Sequence, residues 1–142
     1  MLSDRIYNYG ISKALQLQSK IAPTHFYLYQ FKAEYALGEM MSGGRTELGV
    51  AHGDDVLIIF PLDGRSPLNA DEEEMTSKLI KMYIMFANEN VAQFGGVPII
   101  RVQLKTIKYM DIKSPTQYRM NLFEEEFYGN QKFWDKVLNY QL

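Results

Sequence analysis

His25-Phe26-Tyr27-Leu28-Tyr29-Gln30-Phe31 is a run of aromatic residues that puts large side chains on both faces of an extended chain. A strand apolar on both faces belongs inside a sheet covered on both sides, which predicts a layered α/β architecture. On its N-terminal side, Ile6, Gly10, Ala14, Leu17 and Ile21 recur at helical spacing, with Ser3 and Asp4 available to cap the start and Pro23 to stop the helix. On its C-terminal side, from about Glu34 to Ala51, no periodicity stands out and Gly38, Gly43, Gly44 and Gly49 punctuate a long loop. Loops of that length in compact domains are usually functional or disordered.

The loop ends at Gly49-Val50-Ala51-His52-Gly53-Asp54-Asp55, ahead of the apolar run Val56-Leu57-Ile58-Ile59-Phe60. Propensity reads that run as a strand, although two aspartates before it suit the first turn of a short helix equally well. Further on, Asn69 and Glu72 form a capping pair and Asp71 to Glu74 load a helix start with negative charge. Met75, Leu79, Met82, Tyr83, Phe86 and Ala87 make one apolar stripe, read as core. Gly95-Gly96 and Pro98 are the expected stop. Thr106 to Ile112 alternates as a strand, with Ile107, Tyr109 and Asp111 on one face. Phe133, Trp134, Val137 and Leu138 give an apolar patch to a last helix starting near Asn130. Two strands so far apart in sequence do not make a sheet that stands alone, and the aromatic strand needs neighbours. The expectation is therefore an incomplete domain that requires the rest of its own fold.

Composition narrows the chemistry. Fifteen Lys+Arg stand against seventeen Asp+Glu, for a net charge of −2, with the two signs interleaved; this predicts neither a nucleic-acid partner nor an anionic lipid surface. The longest apolar runs fall far short of the roughly 20 residues of a membrane span. With no cysteine, the chain has no disulfide, no thiol nucleophile and no thiolate metal site. The two histidines, His25 and His52, show no ligand spacing, so no metal or cofactor is expected.

His25 reads as a structural histidine at a strand start. His52 lies on a loop between glycines, where an imidazole can take and return a proton near neutral pH, as acyl transfer requires. It lacks a nucleophile here: Gly10-Ile11-Ser12-Lys13-Ala14 and Gly64-Arg65-Ser66-Pro67-Leu68 both miss the second glycine of a nucleophile elbow. Asp71-Glu72-Glu73-Glu74 and Glu124-Glu125-Glu126 read as solvated helix-start charge, and Gly43-Gly44-Arg45 is followed by no P-loop lysine. Trp134 reads as a packing anchor for the last helix.

The segment from Leu48 to Phe60 resembles the catalytic-histidine segment of the type B carboxylesterases, the cholinesterase-like branch of the α/β-hydrolase fold, in which G-V-x-H-x-x-E/D precedes an apolar stretch ending in phenylalanine. Phe26 to Phe31 resembles that family's aromatic strand. Met82 to Asn88 resembles its W-x-N-F-A helix, Tyr109-Met110-Asp111-Ile112 its last strand, and Phe133-Trp134 its C-terminal helix. The likeness is nearest the insect-type esterases. It implies that residues 1–142 are the C-terminal part of an α/β-hydrolase domain: late sheet strands, the catalytic-histidine loop and packing helices. It makes His52 the general base and Asp55, at the family's acidic position, a group behind it that helps order the site. It also places a short helix at Val56 to Phe60.

Tyr83 stands where tryptophan is usual, Met85 where asparagine is, and Glu89-Asn90-Val91 where a T-G-N-P-like turn is common. These departures touch packing and turns and leave His52 intact. The implied activity is carboxylic ester hydrolysis on small-molecule esters, with the nucleophile and acid upstream and the 142 residues inactive alone. Two other readings are a catalytically silent adhesion domain of the cholinesterase type and an inactive short product. No targeting segment is legible, and the family allows extracellular and cytoplasmic members alike.

Overall fold

The computed structural model describes residues 3–44, 48–60, 62, 67–103, 107–123 and 130–139. Their contacts form two compact units. One contains the chain up to Phe26, Ile100–Tyr109 and the chain from Met120; the other contains Tyr27–Ile99 and Met110–Arg119.

In the first unit a π-helical segment, Asp4–Asn8, runs into α1 (Tyr9–Gln18), which packs against the last helix, α5 (Gln131–Asn139). Ser3 makes no capping bond; the carboxylate of Asp4 instead accepts from the side chains of Asn8 and Asn130, each at 3.0 Å. Between the helices Ser12 Oγ donates to the buried Gln131 Oε1 at 2.9 Å, and Tyr9 and Lys13 both reach Asp135, at 2.8 and 2.9 Å. Leu15, Val102 and Ile107 form a small core with Phe26 and Phe123 packed on it. Tyr109 stacks on Phe123 with ring centroids 4.2 Å apart. His25 is half-buried and bridges antiparallel to Arg101, a structural placement as its sequence context predicts.

β1 (Tyr27–Tyr29) pairs in parallel with β4 (Lys108–Ile112) through residues of the second unit, Tyr27 with Met110, Leu28 with Asp111 and Tyr29 with Ile112. The intervening α2 (Leu37–Met41), α3 (Asp54–Ile59) and α4 (Ala70–Glu89) supply the crossover that a parallel pair requires. The two strands legible in the sequence are thus neighbours. A third, β5 (Tyr118–Leu122), completes the order β1-β4-β5, and β2 (Gln93–Phe94) and β3 (Val97–Pro98) form a separate hairpin.

Several expectations need correcting. The long loop contains α2, a helix without a side-chain cap of its own. Helix α4 ends at Asn90, whose φ of 55° gives the left-handed C-cap, ahead of Gly95-Gly96. Those glycines instead turn the β2–β3 hairpin, with φ of 56° and 85° at the two positions, as a primed turn demands. In the apolar stripe of α4, Met75, Leu79 and Met82 are buried, whereas Tyr83, Phe86 and Ala87 are exposed. Val56 to Ile59 is helix, as the resemblance implied and propensity did not. Arg45 and Glu124-Glu125-Glu126 lie outside the described residues.

Candidate active site

The second unit carries both candidate residues, His52 and Asp55. His52 is exposed on the turn that leads into α3. Gly53 precedes the helix with φ of 93°, in the left-handed region that lets the chain turn sharply after His52, and its carbonyl accepts from Val56 and Leu57 at 3.0 Å each.

What fixes this turn is Asp54, a residue the sequence reading passed over. It is 1% exposed, and its two carboxylate oxygens accept from two backbone N–H groups: Oδ1 from Leu37 and Oδ2 from Ala51, both at 2.8 Å. Ala51 immediately precedes His52, and Leu37 is the first residue of α2. One buried anion therefore caps α2 and clamps the histidine turn to it, with short charge-assisted bonds that make it worth burying. Its adjacency to the histidine at a helix start was the available signal, but its partner at Leu37 is non-local and invisible to a sequence reading.

Asp55 occupies the next position of α3 and faces elsewhere. Its Oδ2 accepts from the Tyr27 hydroxyl at 3.2 Å, and that hydroxyl lies 2.6 Å from the hydroxyl of Tyr83 on α4. Burial, followed by the bond to Tyr83, pushes the Tyr27 phenol far above its ordinary range, and burial raises Tyr83 as well. Both phenols stay protonated at any physiological pH.

Glu72 corrects the reading of Asp71 to Glu74 as solvated charge. It is 2% exposed; it completes a capping box with Asn69, and its Oε1 accepts from the backbone of Glu34 at 2.8 Å. Thr76 on the next turn reaches the carbonyl of Ile58 at 3.1 Å, joining α4 to α3. The platform under the histidine turn is thus tied by Asp54, Asp55, Glu72 and Thr76. Among the described residues no group of three His, Cys, Asp or Glu side chains is placed to hold a metal ion.

The model of the carboxylesterase family matches residues 1–131. The chain belongs to the carboxylesterase family. Venom carboxylesterase-6 of Apis mellifera and a carboxylic ester hydrolase of Bombus ignitus are each 28% identical to it, over 96% of this chain and 25% of their own length. The chain thus spans about a quarter of the length of these carboxylesterases. The crystal structure of juvenile hormone esterase from Manduca sexta, with OTFP covalently attached, superposes on 91% of this chain and 26% of its own at a TM-score of 0.66 and 19% identity. That likeness is one of fold, and it makes the helices and short sheet described above part of an α/β-hydrolase fold. No helix among the described residues is long and apolar enough to cross a membrane.

Proposed function

We propose that the protein is a carboxylic ester hydrolase with a serine-esterase mechanism, in which His52 is the general base. The nucleophilic serine, the acid of the triad and the oxyanion donors are supplied by residues outside these 142, which form the C-terminal part of the catalytic domain. The observation that carries this reading is a histidine held at solvent on a turn pinned by a buried carboxylate, in a chain of the carboxylesterase family.

The chemistry follows from what an imidazole can do there. In the first half-reaction His52 takes the serine proton as the hydroxyl attacks the ester carbonyl, then delivers that proton to the departing alcohol as the acyl-oxygen bond breaks. In the second half-reaction it takes a proton from water, which attacks the acyl-enzyme, and returns it to the serine as the acid leaves. The base must be presented to solvent-borne substrate while its backbone stays fixed, because small misplacement is costly in rate. Asp54 supplies that fixation, and Asp55 anchors the helix that follows.

The test is hydrolysis of p-nitrophenyl acetate by the protein carrying this chain, with and without His52→Gln. The expected result is a loss of kcat of about 10³-fold or more with the fold retained, in line with removal of a triad member. A variant within tenfold of the parent overturns the assignment. The 142 residues alone are expected to show no turnover, since a base without a nucleophile has nothing to activate.

A further inference from the structure

Tyr27, Tyr83 and Asp55 come from β1, α4 and α3, three elements that meet at one hydrogen-bonded point. An ionised carboxylate only accepts, and a phenol carries one proton. The Tyr27 hydroxyl donates to Asp55 Oδ2 at 3.2 Å and shares a 2.6 Å bond with the Tyr83 hydroxyl, so the three groups form one hydrogen-bonded series. Tyr83, Tyr27 and Asp55 are thus linked in series, and each bond polarises the next. The rings are locked edge to face, with centroids 6.5 Å apart and planes at 68°.

Each end of the chain is anchored. Tyr27 is held in the sheet by its pairing with Met110, and Tyr83 stands on a helix of twenty residues started by a complete capping box. Asp55 sits in the first turn of α3, three residues after His52, where the positive end of the helix also favours an anion. Asp54 clamps the backbone on the α2 side of the turn. The hydroxyl chain runs from the α3 side to the sheet. A tryptophan at position 83, the usual residue in the resemblance described above, has no hydroxyl to donate, so the arrangement depends on this chain's own Tyr83.

We propose that Tyr27 and Tyr83 are positioning residues for the esterase reaction: their linked hydroxyls fix Asp55 and, through the first turn of α3, the orientation of His52. The proposal rests on the reading of His52 as general base. Tyr83 is 40% exposed and its ring is retained in Tyr83→Phe, so the change removes one hydroxyl without opening a core.

The experiment compares Tyr83→Phe, Asp55→Asn and the double variant in the protein carrying this chain, with p-nitrophenyl acetate as substrate and hydrogen exchange of the 48–57 segment as a second readout. Tyr83→Phe is expected to lower kcat about three- to tenfold with KM within twofold, and to speed exchange in the segment by a similar factor. In the Asp55→Asn background the same substitution should do nothing more, because the chain then has no anion to serve. An equal effect in both backgrounds, or an unchanged kcat together with unchanged exchange, overturns the proposal. His52→Gln separates the two ideas: if that variant remains active the base assignment falls, and exchange alone then decides the hydroxyl chain, faster exchange in Tyr83→Phe supporting it and unchanged exchange refuting it.

Discussion

Asp54→Ala is the perturbation that tests the architecture of the histidine turn most directly. The carboxylate makes two bonds of 2.8 Å, to the N–H of Leu37 and of Ala51, from a position 1% exposed. Hydrogen bonds to charged groups contribute about 1.5–3 kcal/mol each, which bounds the pair at roughly 3–6 kcal/mol. Leu37 and Ala51 are only half-buried, so their freed N–H groups recover part of that from water, leaving a net cost of about 2–4 kcal/mol. At a factor of ten per 1.4 kcal/mol, the equilibrium for local opening of the turn rises about thirty- to a thousand-fold. Hydrogen exchange at the amides of Leu37 and Ala51 reads that opening directly. Asp54→Asn is nearly isosteric but turns one acceptor into an NH₂ that faces a backbone N–H donor, so it is expected to cost nearly as much as alanine. Exchange within twofold of the parent in both variants would refute the claim that this carboxylate holds the turn.

Three further outcomes follow from the same structure. Leu79, fully buried in α4, should lose about 2–5 kcal/mol on change to alanine, read as a shift in the denaturant midpoint; a loss below about 1 kcal/mol would mean that α4 is not packed as described. Gly95→Ala should cost about 1–3 kcal/mol, because φ is 56° there and the added methyl would overlap the Tyr118 hydroxyl and ring; an unchanged melting temperature would contradict the close approach. The Asp135 carboxyl is held below its ordinary value of 3.8 by Lys13 and then Tyr9, and Asp4 by Asn8 and then Asn130. A depressed carboxylate stabilises above its unfolded pKa and stops doing so as pH falls through the folded one, so the pairing of α1 with α5 should loosen only below that ordinary value. Trp134 fluoresces from α5 and reports the step, which Asp135→Asn should diminish and added salt should shrink, both groups being near the surface. A step unaffected by that variant would place the acid sensitivity elsewhere.

What the sequence made legible is what local physics determines. The capping pair Asn69 and Glu72 and the acid-rich first turn announced α4, and both halves of the capping box are present. The aromatic run at Phe26 to Phe31 announced a sheet strand between covering layers, and β1 lies there, every residue half-buried. The stretch up to Ile112 announced β4, its neighbour, although Tyr109 to Ile112 are all buried and burial does not alternate there. Elements decided by distant partners stayed hidden. Helix α2 has no capping side chain within reach in sequence, since its first N–H is satisfied by Asp54, seventeen residues on. Glu72 looked like one of four solvated acids because its second partner, the N–H of Glu34, belongs to a distant loop. Helix α3 contains Val56, Ile58 and Ile59, whose β-branched side chains argue for a strand; Gly53 and the two aspartates of its first turn override that preference.

The candidate site divides in the same way, and the division is physical. His52 stood out by its place on a loop between glycines, and Asp55 by the spacing in the resemblance. The groups that give both residues a fixed place, Asp54, Tyr27 and Tyr83, carry no local signature, since each works through a partner from another element. An exposed histidine gains nothing from burial, so its geometry has to be imposed by neighbours that are themselves buried or bonded. Two adjacent aspartates do this in opposite directions: Asp54 ties the turn back to α2 through the backbone, and Asp55 ties it forward to β1 and α4 through phenols. Removing either leaves the other tie in place, so the two single losses should each be partial. The double variant Asp54→Ala/Asp55→Asn should lose more in exchange protection of the turn than the sum of the singles, whereas simple additivity would show that the two carboxylates hold separate structures and not one turn.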